Sequence, residues 1–97
     1  MRYLLIEDIK AQLVIEHDED DRLLERLGNV AERALEQHIK QPLENILQGG
    51  QLPSDAYHAM LMHVATLYEY RQTDVLSAKP QPLPMGYDFL VTPYKAY

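Results

Sequence analysis

Residues 20–40 constrain the fold of this chain more than any other stretch. Leu23, Leu27, Val30, Ala31, Ala34, Leu35, His38 and Ile39 recur at three- and four-residue steps, which places them on one face of a helix. The other face reads Arg22, Glu25, Arg26, Asn29, Glu32, Arg33, Glu36, Gln37 and Lys40. Glu36 and Lys40 stand four apart, a pairing that contributes roughly 0.3 kcal/mol on an exposed helix. Gly28 interrupts the pattern and costs about 1 kcal/mol against alanine. It either marks the close approach of another helix or is incidental. Pro42 lacks a backbone donor and turns Gln41 away from helical geometry, so this helix should stop near Lys40.

Two further helices follow from the same period. In residues 5–14, Ile6, Ile9 and Leu13 share a face, and Glu7 and Asp8 sit in the first turn, where negative charge suits the helix dipole. No Ser, Thr, Asp or Asn precedes it as a cap. Residues 54–72 carry Ala56, Ala59, Met60, Leu61, Met62, Val64, Ala65, Leu67, Tyr68 and Tyr70, which cover most of the circumference. Such a helix is buried on more than one side, either as the central helix or by also meeting a partner chain. Ser54 or Asp55 caps it. Between the second and third helices, Leu43, Ile46 and Leu47 make one helical turn, and Gly49 and Gly50 break it. After the third helix come Pro80, Pro82 and Pro84, whose alternation favours extended polyproline-like chain. The ending, "YDFLVTPYKAY", is too aromatic for a disordered tail and should dock on its own domain or on a neighbour. The chain therefore divides into a helical domain, 1–73, and a C-terminal arm, 74–97. The fold class is all-α: a small bundle of three main helices with a Pro-rich, aromatic arm.

Composition removes several function classes. The 97 residues are 46% hydrophobic, enough for one modest core. No apolar run reaches 18 residues, so no transmembrane helix and no membrane partner are expected. The apolar run Tyr3–Ile6 is too short for a signal peptide. Without cysteine there is no disulfide, thiolate zinc site or thiol nucleophile, which points to the cytosol. The net charge is −6, and the nine Lys and Arg residues form no run, which disfavours direct DNA binding.

The acidic stretch "EHDEDD", Glu16–Asp21, first suggests chemistry. An EF-hand loop requires a central glycine and a glutamate at position twelve, yet counting from Asp18 that position is Asn29. A zinc site requires further histidines near His17, and there are none. The stretch reads instead as a helix entrance, with Asp18 or Asp20 as cap and the other acids helping the dipole. His58 and His63 are five apart and do not pair on a helix face, and His38 reads as a partly buried polar residue. No catalytic serine context and no phosphate-binding glycine loop is present. Glu32 and Glu36 share a helix face and, with Glu69, make a metal-dependent all-α nucleotide pyrophosphohydrolase an alternative. In "LYEYR", Glu69 and Arg71 form either a solvated helix end or a polar contact to the arm or a neighbouring subunit.

The order of motifs resembles the small head–tail connector, or adaptor, proteins of long-tailed phages and prophages, often described as DNA-packaging proteins. "IEDIKAQLVIEHDEDDRLLERL" is similar to the family's opening helix and acidic lead into a leucine-rich helix. "QLPSDAYHAMLMHVATLYEYR" resembles its "LP" start and apolar helix ending in Tyr, acid or amide, and Arg. "LPMGYDFLVTPYK" looks like its Pro-x-Gly segment with leucines and Pro-Tyr-basic, and "QHIKQPL" fits the intervening helix end. Lys95 stands where arginine is common, "FLV" replaces a leucine pair, and the first helix lacks the family's polar cap. The resemblance implies a non-enzymatic structural protein without cofactor or metal. It implies a ring beneath the portal, with the portal and the head-completion or tail proteins as partners. DNA would pass through the channel without sequence-specific binding. Its place would be the host cytoplasm during assembly and the head–tail junction of the virion, and the isolated subunit can be monomeric. The aromatic and apolar surplus in and after the third helix nominates Tyr68, Tyr70, Arg71, Met85, Tyr87, Phe89, Leu90 and Tyr94 as the assembly interface. A helical protein–protein adaptor unrelated to phage is a third reading.

Overall fold

The computed structural model describes residues 1–70 and 86–96, with Tyr70 given by its backbone alone. Four α-helices run in order: α1 Ile6–Leu13, α2 Asp21–Ile39, α3 Ser54–Tyr70 and α4 Tyr87–Val91. The described residues also contain two 3-10 turns, Leu43–Ile46 and Thr92–Tyr94. The described residues contain no strand, only one isolated bridge between Gln48 and Gln51. The all-α expectation holds, with α3 as the central helix on which α1, α2 and α4 all pack.

The element ends follow from local chemistry. Val14 closes α1 in the left-handed conformation, at φ 57°, and the backbone N–H of Ile15 donates to the Lys10 carbonyl at 2.9 Å. Lys40 closes α2 in the same way, at φ 62°, and Pro42 keeps the chain from resuming the helix. Gly49 and Gly50, both at positive φ, form the two-residue turn that joins Gln48 to Gln51. Two consecutive residues in that region favour glycine, because a Cβ clashes with the backbone there.

The buried face of α2 is rotated from the one its pattern predicts. Leu24, Gly28, Ala31, Glu32, Leu35 and Ile39 face inward. Val30 is exposed, and Leu23, Leu27, Ala34 and His38 are half-buried. The Leu23–Leu24 doublet admits two overlapping stripes of the same period, and α1 and α3 pack on the Leu24 side. Gly28 explains the choice. A Cβ there would lie 2.0 Å from the Met1 sulfur and 3.3 Å from Ile9 Cδ1, so the missing side chain makes room for the N-terminal residue and α1. Ile9, Leu24, Leu35, Ile39, Met60 and Val64 form the centre of the core. Each such side chain contributes about 1.5–3 kcal/mol on burial.

The described part of the C-terminal arm, residues 86–96, lies on α3 and the end of α2 of its own chain, with Tyr87 and Val91 in the core. The expected polyproline-like stretch lies outside the described residues.

Candidate functional site

The C-terminal segment is stitched to the helical domain by a defined set of contacts. Tyr87 enters the core 1% exposed, with its ring edge-on to both His38 (5.3 Å) and His63 (5.6 Å). Asp88 accepts from His38 Nε2 at 2.8 Å and pairs with the Lys95 ammonium. The hydrogen bond from Lys95, with that from His38 second, holds the Asp88 carboxyl below its usual range. Farther along, the Tyr94 hydroxyl donates to Asp55 Oδ1 at 2.5 Å, and the Gln41 amide donates to the Tyr94 carbonyl. The Ala96 N–H donates to the Ile39 carbonyl at 2.7 Å, satisfying one of the carbonyls that the end of α2 leaves open.

Two groups inside this seam have no hydrogen-bond partner among the described residues: His63 Nδ1 and the Tyr87 hydroxyl. Burial pushes the His63 imidazole down from its ordinary value, and it pushes the Tyr87 hydroxyl up to about 12. What the segment leaves outside is Phe89, 81% exposed beside the half-buried Leu90.

These contacts place the nominated assembly residues. Tyr87 lies wholly inside its own chain, because its ring fills the space between α2 and α3, so it is no surface group. Tyr94 is half-buried and bonded to Asp55. Tyr68 is half-buried, and its hydroxyl donates to Asp20 Oδ2 at 2.7 Å. Among the described members of the group, Phe89 alone projects into solvent along most of its side chain. Arg71, Met85 and the side chain of Tyr70 lie outside the described residues.

The acidic stretch is neither a side-chain cap nor a fully solvated patch. Asp20 occupies the N-cap of α2 but makes no side-chain capping bond there. Lys10, on α1, reaches Asp18 at 2.5 Å and Asp21 at 2.7 Å. Hydrogen bonds to Asp18 and Asp21 raise the Lys10 pKa, and the same pairing lowers that of Asp18. The stretch thus closes α1 onto α2 and, through Asp20, receives α3. Among the described residues no group of three His, Asp or Glu is arranged to hold a metal ion.

The nucleotide hydrolase alternative fails on the same kind of observation. Glu32 is 6% exposed, and its carboxylate accepts three backbone N–H bonds: Arg2 at 3.0 Å, Tyr3 at 2.8 Å and Leu4 at 2.7 Å. Glu36 accepts the Leu43 N–H at 2.9 Å. Glu69 stands exposed near the end of α3. The pair expected to bind metal instead anchors the N-terminal segment and the turn after α2. The sequence showed that the two acids share a helix, but it carried no signal that backbone donors fill them.

A groove missed by sequence reasoning opens on the other side of α3. It has a volume of about 550 Å³ and lies between the N-terminal segment (Arg2, Tyr3, Leu5), the Gly50 turn, and Ser54, Tyr57, His58 and Leu61 of α3. One wall is fixed by Tyr57, whose hydroxyl receives the Leu5 N–H at 3.1 Å and donates to Asp8 at 2.5 Å. Burial, with the Asp8 bond second, pushes the Tyr57 hydroxyl up to about 12. Leu5 is 58% exposed at the edge, and Arg2 lies over the Tyr3 ring at 5.5 Å. The pattern has no way to announce this site, since its residues come from three segments joined only by the fold.

No curated protein and no solved structure gives a significant match to the chain. The family model described as phage gp6-like head–tail connector protein matches residues 3–94, from the Glu32-anchored N-terminal segment through the last 3-10 turn. That span takes in every element that builds the core and the C-terminal seam, and the chain therefore belongs to the phage gp6-like head–tail connector family, a family of structural proteins.

Proposed function

We propose that this protein is the subunit of a ring that sits beneath the portal at the capsid vertex. It extends the DNA channel and presents the surface to which head-completion and tail proteins attach. The observation that carries this reading is the family match across nearly the whole chain, with the helical domain and the C-terminal segment both inside it. The geometry supports a role in assembly rather than catalysis. The carboxylates that share a helix face are filled by backbone donors, and an exposed aromatic, Phe89, stands on a segment otherwise fixed to the core.

Charge supports the passage of DNA without adhesion. A subunit of net charge −6 repels phosphate, so a channel built from such subunits disfavours the counterion-releasing contacts by which proteins hold DNA. The protein acts in the host cytoplasm while heads are completed and resides afterwards at the head–tail junction. It requires no cofactor. Co-sedimentation with assembled portal tests the reading. Association at micromolar concentration is expected, and its absence counts against the proposal.

A further inference from the structure

Two features stay unaccounted for by the seam and the core: the projecting Phe89 and the groove of Arg2, Tyr3, Leu5, Tyr57, His58 and Leu61. They lie on opposite flanks of α3. Asp55 and His63 of α3 face the C-terminal segment, while Ser54, Tyr57, His58 and Leu61 line the groove. At 3.6 residues per turn the centres of these two sets are about 150° apart around the helix axis. A single copy therefore does not fill its own groove with its own Phe89. A second copy set beside the first, in the same orientation, brings the α4 face of one against the groove of the other.

The surfaces match in character. The groove has a volume of about 550 Å³, within the ~300–1,000 Å³ of ordinary ligand clefts, and the apolar part of its lining, Leu5, Leu52, Tyr57 and Leu61, stands beside polar Arg2, Gln51, Ser54 and His58. Its cationic member, Arg2, is 68% exposed; among the described residues it lies over the Tyr3 ring and has a loose, solvent-facing ion pair with Glu44 at 3.7 Å, a kind of pair that holds little. The exposed His58 adds a donor at the mouth. On the other surface Asp88 stands next to Phe89. Its side chain is 61% exposed, whereas the groups that hold it, His38 and Lys95, are only 25% and 24% exposed. The α4 face thus presents an aromatic ring with a negative edge to a groove that offers apolar walls and a positive edge.

Resting on the connector reading above, we infer that Phe89 of one copy docks in the Arg2–His58 groove of the next, and that this head-to-tail contact is what propagates the ring. A contact between two different patches continues from copy to copy until rotation closes it, whereas a patch that met itself would stop at a dimer.

Sedimentation velocity across a concentration series up to the solubility limit tests this, using wild type, Phe89→Ala and His58→Glu. Both substituted residues are exposed, so neither change disturbs the core. Each variant is expected to weaken self-association about tenfold or more, as removal of a central aromatic anchor does. A mixture of the two is the deciding sample. The Phe89→Ala copy keeps an intact groove and the His58→Glu copy keeps an intact Phe89, so the mixture forms dimers and nothing larger. Assembly of either variant at wild-type strength, or a mixture no more associated than its components, overturns the docking while leaving the connector reading in place. A wild type that stays monomeric throughout the series also overturns the docking, and portal binding then decides the connector reading separately.

Discussion

Replacing Glu32 by alanine removes the anchor that holds the N-terminal segment to α2. Three backbone donors converge on that carboxylate, at 3.0, 2.8 and 2.7 Å, and the site is buried. Hydrogen bonds to a charged acceptor contribute about 1.5–3 kcal/mol each, but these three do not add in full. Once released, the Arg2 and Tyr3 donors reach water. The Leu4 N–H does so only if Leu4, 3% exposed, leaves the core. The cost is therefore one stranded donor or one lost apolar side chain, plus part of the other two bonds: about 3 kcal/mol. Against a total stability of roughly 5–15 kcal/mol, that lowers the melting temperature by roughly 12–24 °C. Glu32→Gln keeps one acceptor but turns an N–H toward a backbone N–H, and should fall about halfway. Urea and thermal unfolding followed by circular dichroism measure both, and hydrogen exchange at Leu4 reports the anchor directly. If Glu32→Ala unfolds within about 0.5 kcal/mol of wild type, the reasoning is wrong, since surface changes alone give that much.

Other consequences follow from the same contacts. Val14 holds a left-handed conformation that costs a side-chain-bearing residue roughly 1–2 kcal/mol, and it is 84% exposed, so Val14→Gly should stabilise by about 0.5–1 kcal/mol in urea unfolding. Lys10→Met removes the tie between α1 and the acidic stretch. Because Lys10 lowers the Asp18 pKa, this contribution is present above the ordinary value of 3.8 and is lost as pH falls below it, so the stability gap between wild type and Lys10→Met should narrow in acid. Lys10 itself is raised above 10.5, so the gap should narrow again as pH rises beyond that value. His63 is lowered by burial, and a neutral buried imidazole stabilises the fold above pH 6.5 and ceases to do so as pH falls through its folded value. A pH series of melting temperatures should show a loss beginning below 6.5 in wild type and a flatter profile in His63→Phe.

The helices were legible because their signals are local. The three-to-four-residue period, the two glycines after Gln48 and the proline at 42 each act within one turn of chain. The facing of α2 was less legible, since adjacent Leu23 and Leu24 support two stripes and only the packing of Met1 and Ile9 against Gly28 selects one. The acidic stretch was read as a capping helix entrance; it does lead into α2, but Asp20 at the N-cap makes no side-chain capping bond. Its attachment to Lys10 was invisible because α1 and α2 meet only after folding. For the same reason Glu32 and Glu36 looked like a metal pair: the donors that fill them sit at Arg2–Leu4 and Leu43, and only the fold brings these near. Among the nominated assembly residues, aromatic character marked Tyr68, Tyr87 and Tyr94 together with Phe89. The structure separates them by their hydroxyls and their depth. Tyr68 and Tyr94 bond to Asp20 and Asp55, Tyr87 fills the core, and Phe89, with nothing to donate, remains outside.

Mass photometry of assembled portal, alone and with an excess of this protein, tests the central claim most directly. The account predicts a discrete complex heavier than portal by many copies of an 11.3 kDa chain, with few intermediates, because a head-to-tail ring gains its last contact only on closure. A portal whose mass does not change at saturating protein, or one that gains single copies without completing a set, would contradict it.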